Sequence, residues 1–130
     1  MTNTDPLANV LSAIVNAERA AKKEIIVKDN SKVIRNVLMI MQEQGYIGSY
    51  EEIEDSKGNL LKINLLGHIN QTGVIKPRFR IKVSDYEKFE QRYLPARGFG
   101  VLIISTNEGI MTHADAKEKN KGGTLLSFCY

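Results

Sequence analysis

Apolar residues near the start of the chain recur at the spacing of one helix face. Asp5 followed by Pro6 is typical of an N-cap and a first helical residue. The apolar positions behind them are Leu7, Val10, Leu11, Ile14 and Val15. Because positions three and four residues apart lie on the same side of an α-helix, this pattern predicts a helix with one face in a core.

A short strand and a second helix are predicted next. Ile25-Ile26-Val27 is a β-branched run of strand length, and Asn30-Ser31 is a helix-capping pair. Helical spacing then continues up to Gly45, with a predicted apolar stripe of Val33, Ile34, Val37, Leu38 and Met41. Met39 is also expected to fill core space, since methionines in such stripes are more often core than binding surface.

The pattern next changes to two extended segments between Tyr46 and Leu65. They flank residues 55–59, which form turns readily and predict a hairpin. The stretch 67–77 has two glycines, an asparagine and a proline with little periodicity, and predicts a linker. We therefore expect two lobes, at residues 1–66 and 67–130.

The second lobe is predicted to begin with a strand and a short helix. The strand alternates apolar residues with basic ones, in the order Arg78, Phe79, Arg80, Ile81, Lys82 and Val83. Ser84 and Glu87 fit a capping box, and Pro95 closes the helix, whose apolar side is Tyr86, Phe89 and Tyr93.

The remainder of this lobe is rich in predicted strands. A turn at Arg97–Gly100 leads into the apolar strand Val101–Ile104, and Thr112 with Asp115 predicts a short helix through Lys119. A last strand follows Gly122-Gly123 and ends at Tyr130. The predicted fold class is α+β, with an N-terminal α/β lobe and a C-terminal, mostly β lobe with short helices.

The composition is that of a globular protein and indicates little more about its function. The chain has 130 residues, 42% apolar and 25% charged, with a formal net charge of +3. This mildly basic balance is compatible with a phosphate-bearing partner and does not by itself identify one. No leader or membrane-length apolar run is apparent, so we expect a cytoplasmic protein, and the single Cys129 predicts no internal disulfide.

A polar loop is predicted directly after the buried strand, at Ser105-Thr106-Asn107-Glu108-Gly109. Small hydroxyl and amide groups on a loop anchored by a buried strand are able to face RNA base edges and sugar hydroxyls. The same pattern also fits an ordinary turn with a helix cap, so the residues alone leave both interpretations open.

Enzyme chemistry is not expected. Ser105, His113 and Asp115 lack the Gly-x-Ser-x-Gly elbow of a hydrolase, and their proximity in sequence does not supply triad geometry. His68 and Cys129 are isolated in sequence from each other and from His113, so no metal site and no cofactor are predicted.

Lysines and arginines in both lobes are candidates for phosphate contacts. They are Lys22, Lys23, Lys28, Lys32 and Arg35 in the first lobe, and Lys117, Lys119 and Lys121 in the second. Acidic residues are interspersed with them, so a solvated face is the competing interpretation.

Several motifs together resemble the ribosomal protein S8 family over essentially the whole chain. The most specific is Ser105-Thr106-x-x-Gly109-Ile110-Met111-Thr112-His113-x-x-Ala116, followed by Gly122-Gly123. The start Asp5-Pro6-Leu7-Ala8 and the pair Ser31-Lys32 also fit the family. The segment Gly73-Val74-Ile75-x-Pro77-Arg78-Phe79 resembles the archaeal and eukaryotic branch.

This resemblance implies a constituent of the small ribosomal subunit that binds a stem in the central domain of its RNA and assists its assembly. It implies other small-subunit ribosomal proteins as further partners, no catalysis and no cofactor. The RNA-binding residues it implies, together with the basic candidates, are Lys28, Ser31, Lys32, Arg35, Arg80, Ser105, Thr106, Asn107, Glu108, Gly109, Met111, Thr112, His113, Gly122, Gly123 and Thr124. The main contacts fall on the loop of the second lobe.

A protein- or peptide-interaction module without RNA is the alternative function. An RNA partner predicts strong salt dependence and co-purified nucleic acid, whereas a protein partner predicts neither. Because no long heptad pattern or self-complementary apolar strand is present, we expect a monomer in the absence of RNA.

Overall fold

The structure is a computed structural model that describes residues 5–55, 58–76, 78–96 and 98–130. In chain order the elements are α1 Pro6–Arg19, β1 Glu24–Val27, α2 Lys32–Glu43, β2 Ile47–Asp55, β3 Gly58–Leu65, β4 Thr72–Val74, β5 Arg80–Ile81, a 3₁₀ helix Val83–Asp85, α3 Tyr86–Tyr93, β6 Val101–Thr106, β7 Gly109–Thr112, α4 His113–Glu118 and β8 Gly123–Cys129. The predicted α+β class is confirmed. Internal contacts divide the chain into two compact units, the first ending at Thr72 and the second beginning at Gly73.

The two helices of the first unit begin as predicted. The Asp5 side chain accepts a 3.2 Å hydrogen bond from the Ala8 amide, and the Ser31 hydroxyl accepts one of 3.3 Å from the Ile34 amide. Each bond satisfies an amide that has no partner within its own helix. Helix α1 buries the whole predicted stripe: Leu7, Val10, Leu11, Ile14 and Val15.

Two residues of α2 lie outside its buried face. The side chains of Val33 and Met39 are 40% and 46% exposed, so their predicted place in the core is wrong. The buried face is centred on Ile34, Val37, Leu38 and Met41. Ile40 is buried as well. At about 100° per residue, Met39 points away from this face, whereas Val33 lies on the same side of the helix as Ile40 but in the first turn.

The first unit contains an antiparallel sheet in the order β1-β3-β2. Ile25 of β1 lies opposite Ile63 of β3, and Ile53 of β2 lies opposite Leu60. The predicted hairpin between β2 and β3 is therefore confirmed, while residues 56 and 57 of its turn lie outside the described residues.

The segment predicted as a linker is only partly irregular. The Glu18 carboxylate accepts hydrogen bonds from the amides of Gly67 and Ile69, at 3.3 and 3.4 Å, which holds this part against the end of α1. Farther on, β4 forms and Ile75 is buried, so the linker prediction is wrong at residues 72–75. A strand of three residues is too short to show the alternation of apolar and polar positions by which a strand is recognised in a sequence. The division into lobes at residue 66 remains a prediction.

The second unit is a five-stranded sheet with two helices. Its strand order is β4-β8-β6-β7, with β5 also paired to β8. The pairings of β5 with β8, β8 with β6 and β6 with β7 are antiparallel. The core beside the sheet consists of Ile75, Ile81, Tyr86, Phe89, Leu94, Leu102, Ile104, Met111, Ala116 and Leu125.

The pairing of β6 with β8 contains a register shift. Ile103 lies opposite Ser127, whereas the next residue, Ile104, lies opposite Leu125. Leu126 is thus an extra residue on β8, as in a β-bulge.

The strand and helix cap predicted at the start of the second lobe are corrected. The strand is limited to Arg80–Ile81, although Ile81 is buried and Arg80 exposed, in keeping with the predicted alternation. Ser84 caps no helix. Instead the Asp85 carboxylate accepts a 3.1 Å hydrogen bond from the Lys82 amide and closes the 3₁₀ turn before α3. Arg97, in the turn predicted at Arg97–Gly100, lies outside the described residues.

Candidate nucleic-acid interface

The predicted polar loop after the buried strand is a tight β-hairpin. Ser105 and Thr106 are the last residues of β6, Asn107 and Glu108 form the turn, and Gly109 begins β7. The Thr106 hydroxyl donates to the Gly109 carbonyl at 2.9 Å and accepts from the Glu108 amide at 3.1 Å. Gly109 has φ +121°, which favours glycine. Residues 105–109 therefore belong to a hydrogen-bonded hairpin and do not form an irregular loop.

Three polar side chains stand in one row across three strands. Thr124 of β8 lies opposite Arg80 on one side and opposite Ser105 on the other. Directly opposed residues project from the same face of a sheet, so guanidinium and hydroxyl groups are neighbours here. No residue of the described chain hydrogen-bonds to the Ser105 or Thr124 hydroxyl. The neighbouring row, with Ile104 and Leu125, is buried in the core.

Gly122 and Gly123 allow three strands to approach closely beside this row. A Cβ added to Gly122 would lie 2.5 Å from the Ile81 carbonyl oxygen, and one on Gly123 would lie 2.4 Å from the Ser105 carbonyl oxygen. Both distances are far below contact distance to backbone atoms, which do not move easily. The glycine pair is thus required by backbone packing at this surface.

Lys121 is held at the same place through its main chain. The Tyr86 hydroxyl, on a fully buried side chain, donates a 2.7 Å hydrogen bond to the Lys121 carbonyl, and the Lys121 amide donates to Ala116 at 2.9 Å. Burial raises the pKa of Tyr86, so it remains a donor. The Lys121 ammonium lies 3.2 Å from the Asn107 side-chain oxygen.

These elements enclose an open cleft of about 510 Å³. Its lining consists of Arg80, Ser105, Thr106, Asn107, Lys121, Gly122, Gly123 and Thr124. Seven of these eight residues belong to the set predicted from the sequence, and the structure brings them together. Lys121 was grouped only with other lysines, although its position directly before the glycine pair would have been a usable signal.

Other predicted site residues of the hairpin region are used within the protein. The side chains of Met111, Thr112 and His113 are buried, and the Thr112 hydroxyl caps α4 by accepting from the Asp115 amide at 3.2 Å. Glu108 and Gly109 lie exposed at the hairpin tip. RNA contact by any of these five remains a prediction.

Both ring nitrogens of His113 have partners. Nδ1 accepts a 3.0 Å hydrogen bond from the Leu102 amide, and Nε2 lies 3.2 Å from a Glu90 carboxylate oxygen that Lys117 also contacts. Burial lowers the pKa of His113, and Lys117 lowers it further, against an opposing effect of Glu90. A ring that is tied in this way has no nitrogen available to activate Ser105.

The predicted basic site residues of the first unit lie around the start of α2. Lys28 and Lys32 are exposed, and Ser31 is the helix cap. Arg35 is paired with Glu52 at 3.6 Å and also contacts Asn30. Arg35 is therefore partly neutralised, and RNA contact by this group remains a prediction.

The cleft has the chemistry of an RNA-binding surface. Cations are suited to phosphates, and small hydroxyl and amide groups are suited to sugars and base edges. Within the described residues, no cluster of His, Cys, Asp or Glu is suited to a metal ion, and no helix has the length and apolar character to cross a membrane.

The model of the family described as Ribosomal protein S8 matches residues 5–130. The chain belongs to this family. It is a small-subunit ribosomal protein that binds ribosomal RNA, with other ribosomal proteins as partners, and it is not an enzyme. The alternative of an interaction module without RNA is therefore not retained.

Proposed function

We propose that the cleft of the second unit binds a stem in the central domain of small-subunit ribosomal RNA and assists the assembly of that domain. Within this stem, the preferred target is a region of irregular pairing. Arg80 and Lys121 contact its backbone, while Ser105, Asn107 and Thr124 read exposed sugar and base edges. We also propose, from the motif over residues 73–79, that the protein belongs to the archaeal and eukaryotic branch of its family.

One observation carries this proposal: the row of Arg80, Thr124 and Ser105 lies beside the close backbone approach at Gly123. The row combines the Arg80 guanidinium with the hydroxyls of Ser105 and Thr124, and neither hydroxyl makes a hydrogen bond to a described residue. The absence of side chains on the glycines lets the neighbouring strands approach closely and bring this row together. Such a surface fits a nucleic-acid backbone whose bases or sugars are displaced from a regular helix.

The need for an irregular stem follows from RNA geometry. A regular A-form helix has a deep, narrow major groove that side chains do not read, and it presents mainly phosphates and 2′-hydroxyls. The shallow minor groove is recognised mostly by shape, and short side chains such as serine reach the Watson–Crick and Hoogsteen base edges only where pairing is irregular. Phosphate contacts then supply salt-sensitive affinity, and the polar row supplies the selection.

We infer that the protein acts in the cytoplasm as part of the ribosome and is a monomer before it binds RNA. Lys28, Ser31, Lys32 and Arg35 of the first unit, with Glu108, Gly109, Met111, Thr112 and His113 of the second, are further contact candidates carried over from the sequence.

The test compares the central-domain stem with a regular duplex of equal length. Ser105→Ala is expected to weaken stem binding by about 0.5 to 1.5 kcal/mol, the usual value of one hydrogen bond, and to leave duplex binding and the salt slope unchanged. The matched control is Ser84→Ala, an exposed serine of the same unit. Equal binding of stem and duplex by the unaltered protein would refute the proposal, as would equal losses on both RNAs for Ser105→Ala.

A further inference from the structure

A triangle of charges lies at the rim of the cleft. The Glu108 carboxylate at the hairpin tip is 3.9 Å from the Lys121 ammonium and 4.0 Å from that of Lys119. An acidic group so close to an RNA surface would repel phosphates if it acted alone. Its position between two lysines indicates a different role.

The two lysines differ in their surroundings. The Lys121 side chain is 28% exposed and lines the cleft, whereas that of Lys119 is 55% exposed and is not part of the lining. Only Lys121 also contacts the Asn107 side-chain oxygen, at 3.2 Å. Its ammonium therefore has a hydrogen-bond acceptor in Asn107 and an ion-pair partner in Glu108, both in the hairpin turn.

The main chain of Lys121 is held by a hydrogen bond from a buried side chain. Its carbonyl accepts from the buried Tyr86 hydroxyl at 2.7 Å, and Asn120, one residue earlier, has φ +56°. Both features constrain the backbone of the segment between α4 and β8. A long lysine side chain otherwise loses considerable conformational freedom on binding, so a preset ammonium lowers that cost.

We propose that Lys121 is a phosphate contact of the RNA site, that Glu108 and Asn107 hold its ammonium over the cleft, and that Tyr86 is a positioning residue for its main chain. This inference rests on the proposed function of the cleft. It assigns Glu108 a favourable effect on binding a polyanion, which is opposite in sign to its simple Coulomb effect.

Two lysine variants separate a specific contact from bulk charge. Lys121→Ala and Lys119→Ala each remove one positive charge beside Glu108, so Lys119→Ala is the matched control. Lys121→Ala is expected to weaken binding of the stem about tenfold or more, as for a charged hydrogen bond. It should also reduce the salt slope by about 0.7 to 0.9, as for one phosphate. Lys119→Ala should change binding less than about threefold. Equal losses would overturn the inference.

Glu108→Gln tests the sign. If Glu108 holds Lys121 in place, the variant binds the stem more weakly and the regular duplex more tightly, since a repulsive charge has been removed. Tighter binding of both RNAs would overturn the positioning role of Glu108. If the unaltered protein does not prefer the stem to the duplex, the proposed function of the cleft fails. If it does prefer the stem, but Lys121→Ala and Lys119→Ala weaken binding equally, the proposed function stands and the role given to Lys121 is refuted.

Tyr86→Phe tests the link through the main chain. It is expected to weaken stem binding in the unaltered background and to have no further effect in the Lys121→Ala background, because Tyr86 acts through Lys121. Thermal unfolding of each variant identifies losses that are due to instability. Equal effects of Tyr86→Phe in the two backgrounds would show that its role is general to the fold.

Discussion

Gly123 lies so close to the carbonyl oxygen of Ser105 that no side chain fits between them. An added Cβ would lie 2.4 Å from that oxygen and 2.9 Å from the Ile104 side chain. We expect Gly123→Ala to force β8 away from β6, at a cost of about 1 to 3 kcal/mol in the free energy of unfolding. Because Thr124 and Ser105 are opposed at this point, stem binding should fall as well.

Gly73→Ala is the control for that substitution. A Cβ on Gly73 of β4 would meet only the Phe128 ring, at 3.4 Å, which is ordinary contact. Urea unfolding should show little change for this variant. Equal stability of the two alanine variants would contradict the close approach of β8 to β6.

His113 should make the stability of the protein depend on pH. Its pKa lies below the ordinary value of 6.5 because the ring is buried, so below pH 6.5 the unfolded chain takes up a proton that the folded protein does not. The contribution of His113 to the free energy of unfolding is therefore expected to be complete above pH 6.5. It should decrease as the pH falls from 6.5 towards the lowered pKa of His113 in the folded protein.

The comparison variant is His113→Asn, whose side-chain oxygen is able to accept from the Leu102 amide without titrating. Urea unfolding at several pH values should show a weaker pH dependence for this variant than for the unaltered protein. All other titrating residues are the same in both chains. An equal fall in stability with decreasing pH would argue against the burial of a neutral ring.

Ser127 is expected to be replaceable by alanine without loss of stability. Its hydroxyl is fully buried on β8 and has no hydrogen-bond partner among the residues that the structure describes. A buried polar group without a partner costs about 1 to 3 kcal/mol, so Ser127→Ala should leave the free energy of unfolding unchanged or raise it. Calorimetry measures the stability of this variant, and Ser84→Ala, at an exposed serine, is the control. A clear destabilisation would reveal a partner for the hydroxyl.

Lys32 and Arg35 should differ although both are basic residues at the start of α2. Arg35 is engaged by Glu52 and Asn30, while Lys32 is exposed. We expect Lys32→Ala to reduce the salt slope of RNA binding by about 0.7 to 0.9, and Arg35→Ala to change it less. Filter binding at several salt concentrations measures both slopes. An unchanged slope for Lys32→Ala would remove it from the interface.

The free protein is expected to be a monomer. The edge strand β2 carries the exposed residues Glu51, Glu52 and Glu54, and like charges along an edge oppose pairing with a second copy. Light scattering should give one mass over a wide range of protein concentration. A dimer that persists on dilution would disprove this expectation.

Local signals were sufficient for the helices of the first unit and for the β2–β3 hairpin. Asp5 and Ser31 act within three residues of themselves, so their capping roles are readable from sequence spacing. The exposure of Met39 was missed because hydrophobicity does not report where a helix face is centred. That centre depends on which strands and helices pack against it.

The second unit required longer-range information. Ser84 and Asp85 both fit a capping role, and only the path of the preceding chain decides between them. Ser105 and Thr106 appeared as loop residues because their polarity breaks the apolar run, yet pairing with β7 and β8 extends the strand through them. The cleft was predicted as a set of residues through a resemblance, while the opposition of Arg80, Thr124 and Ser105 depends on strand register.

The extra residue Leu126 on β8 determines which side chains that register places together. If Leu126 instead paired regularly with Ile104, Ser105 would lie opposite the fully buried Leu125, and Thr124 would lie opposite Thr106. The polar row would then be broken, because a shift of one residue interchanges the two faces of a strand. The cleft thus depends on Leu126 staying outside the ladder: regular pairing of that one residue would place Ser105 opposite a core leucine while leaving every residue of the cleft present in the sequence.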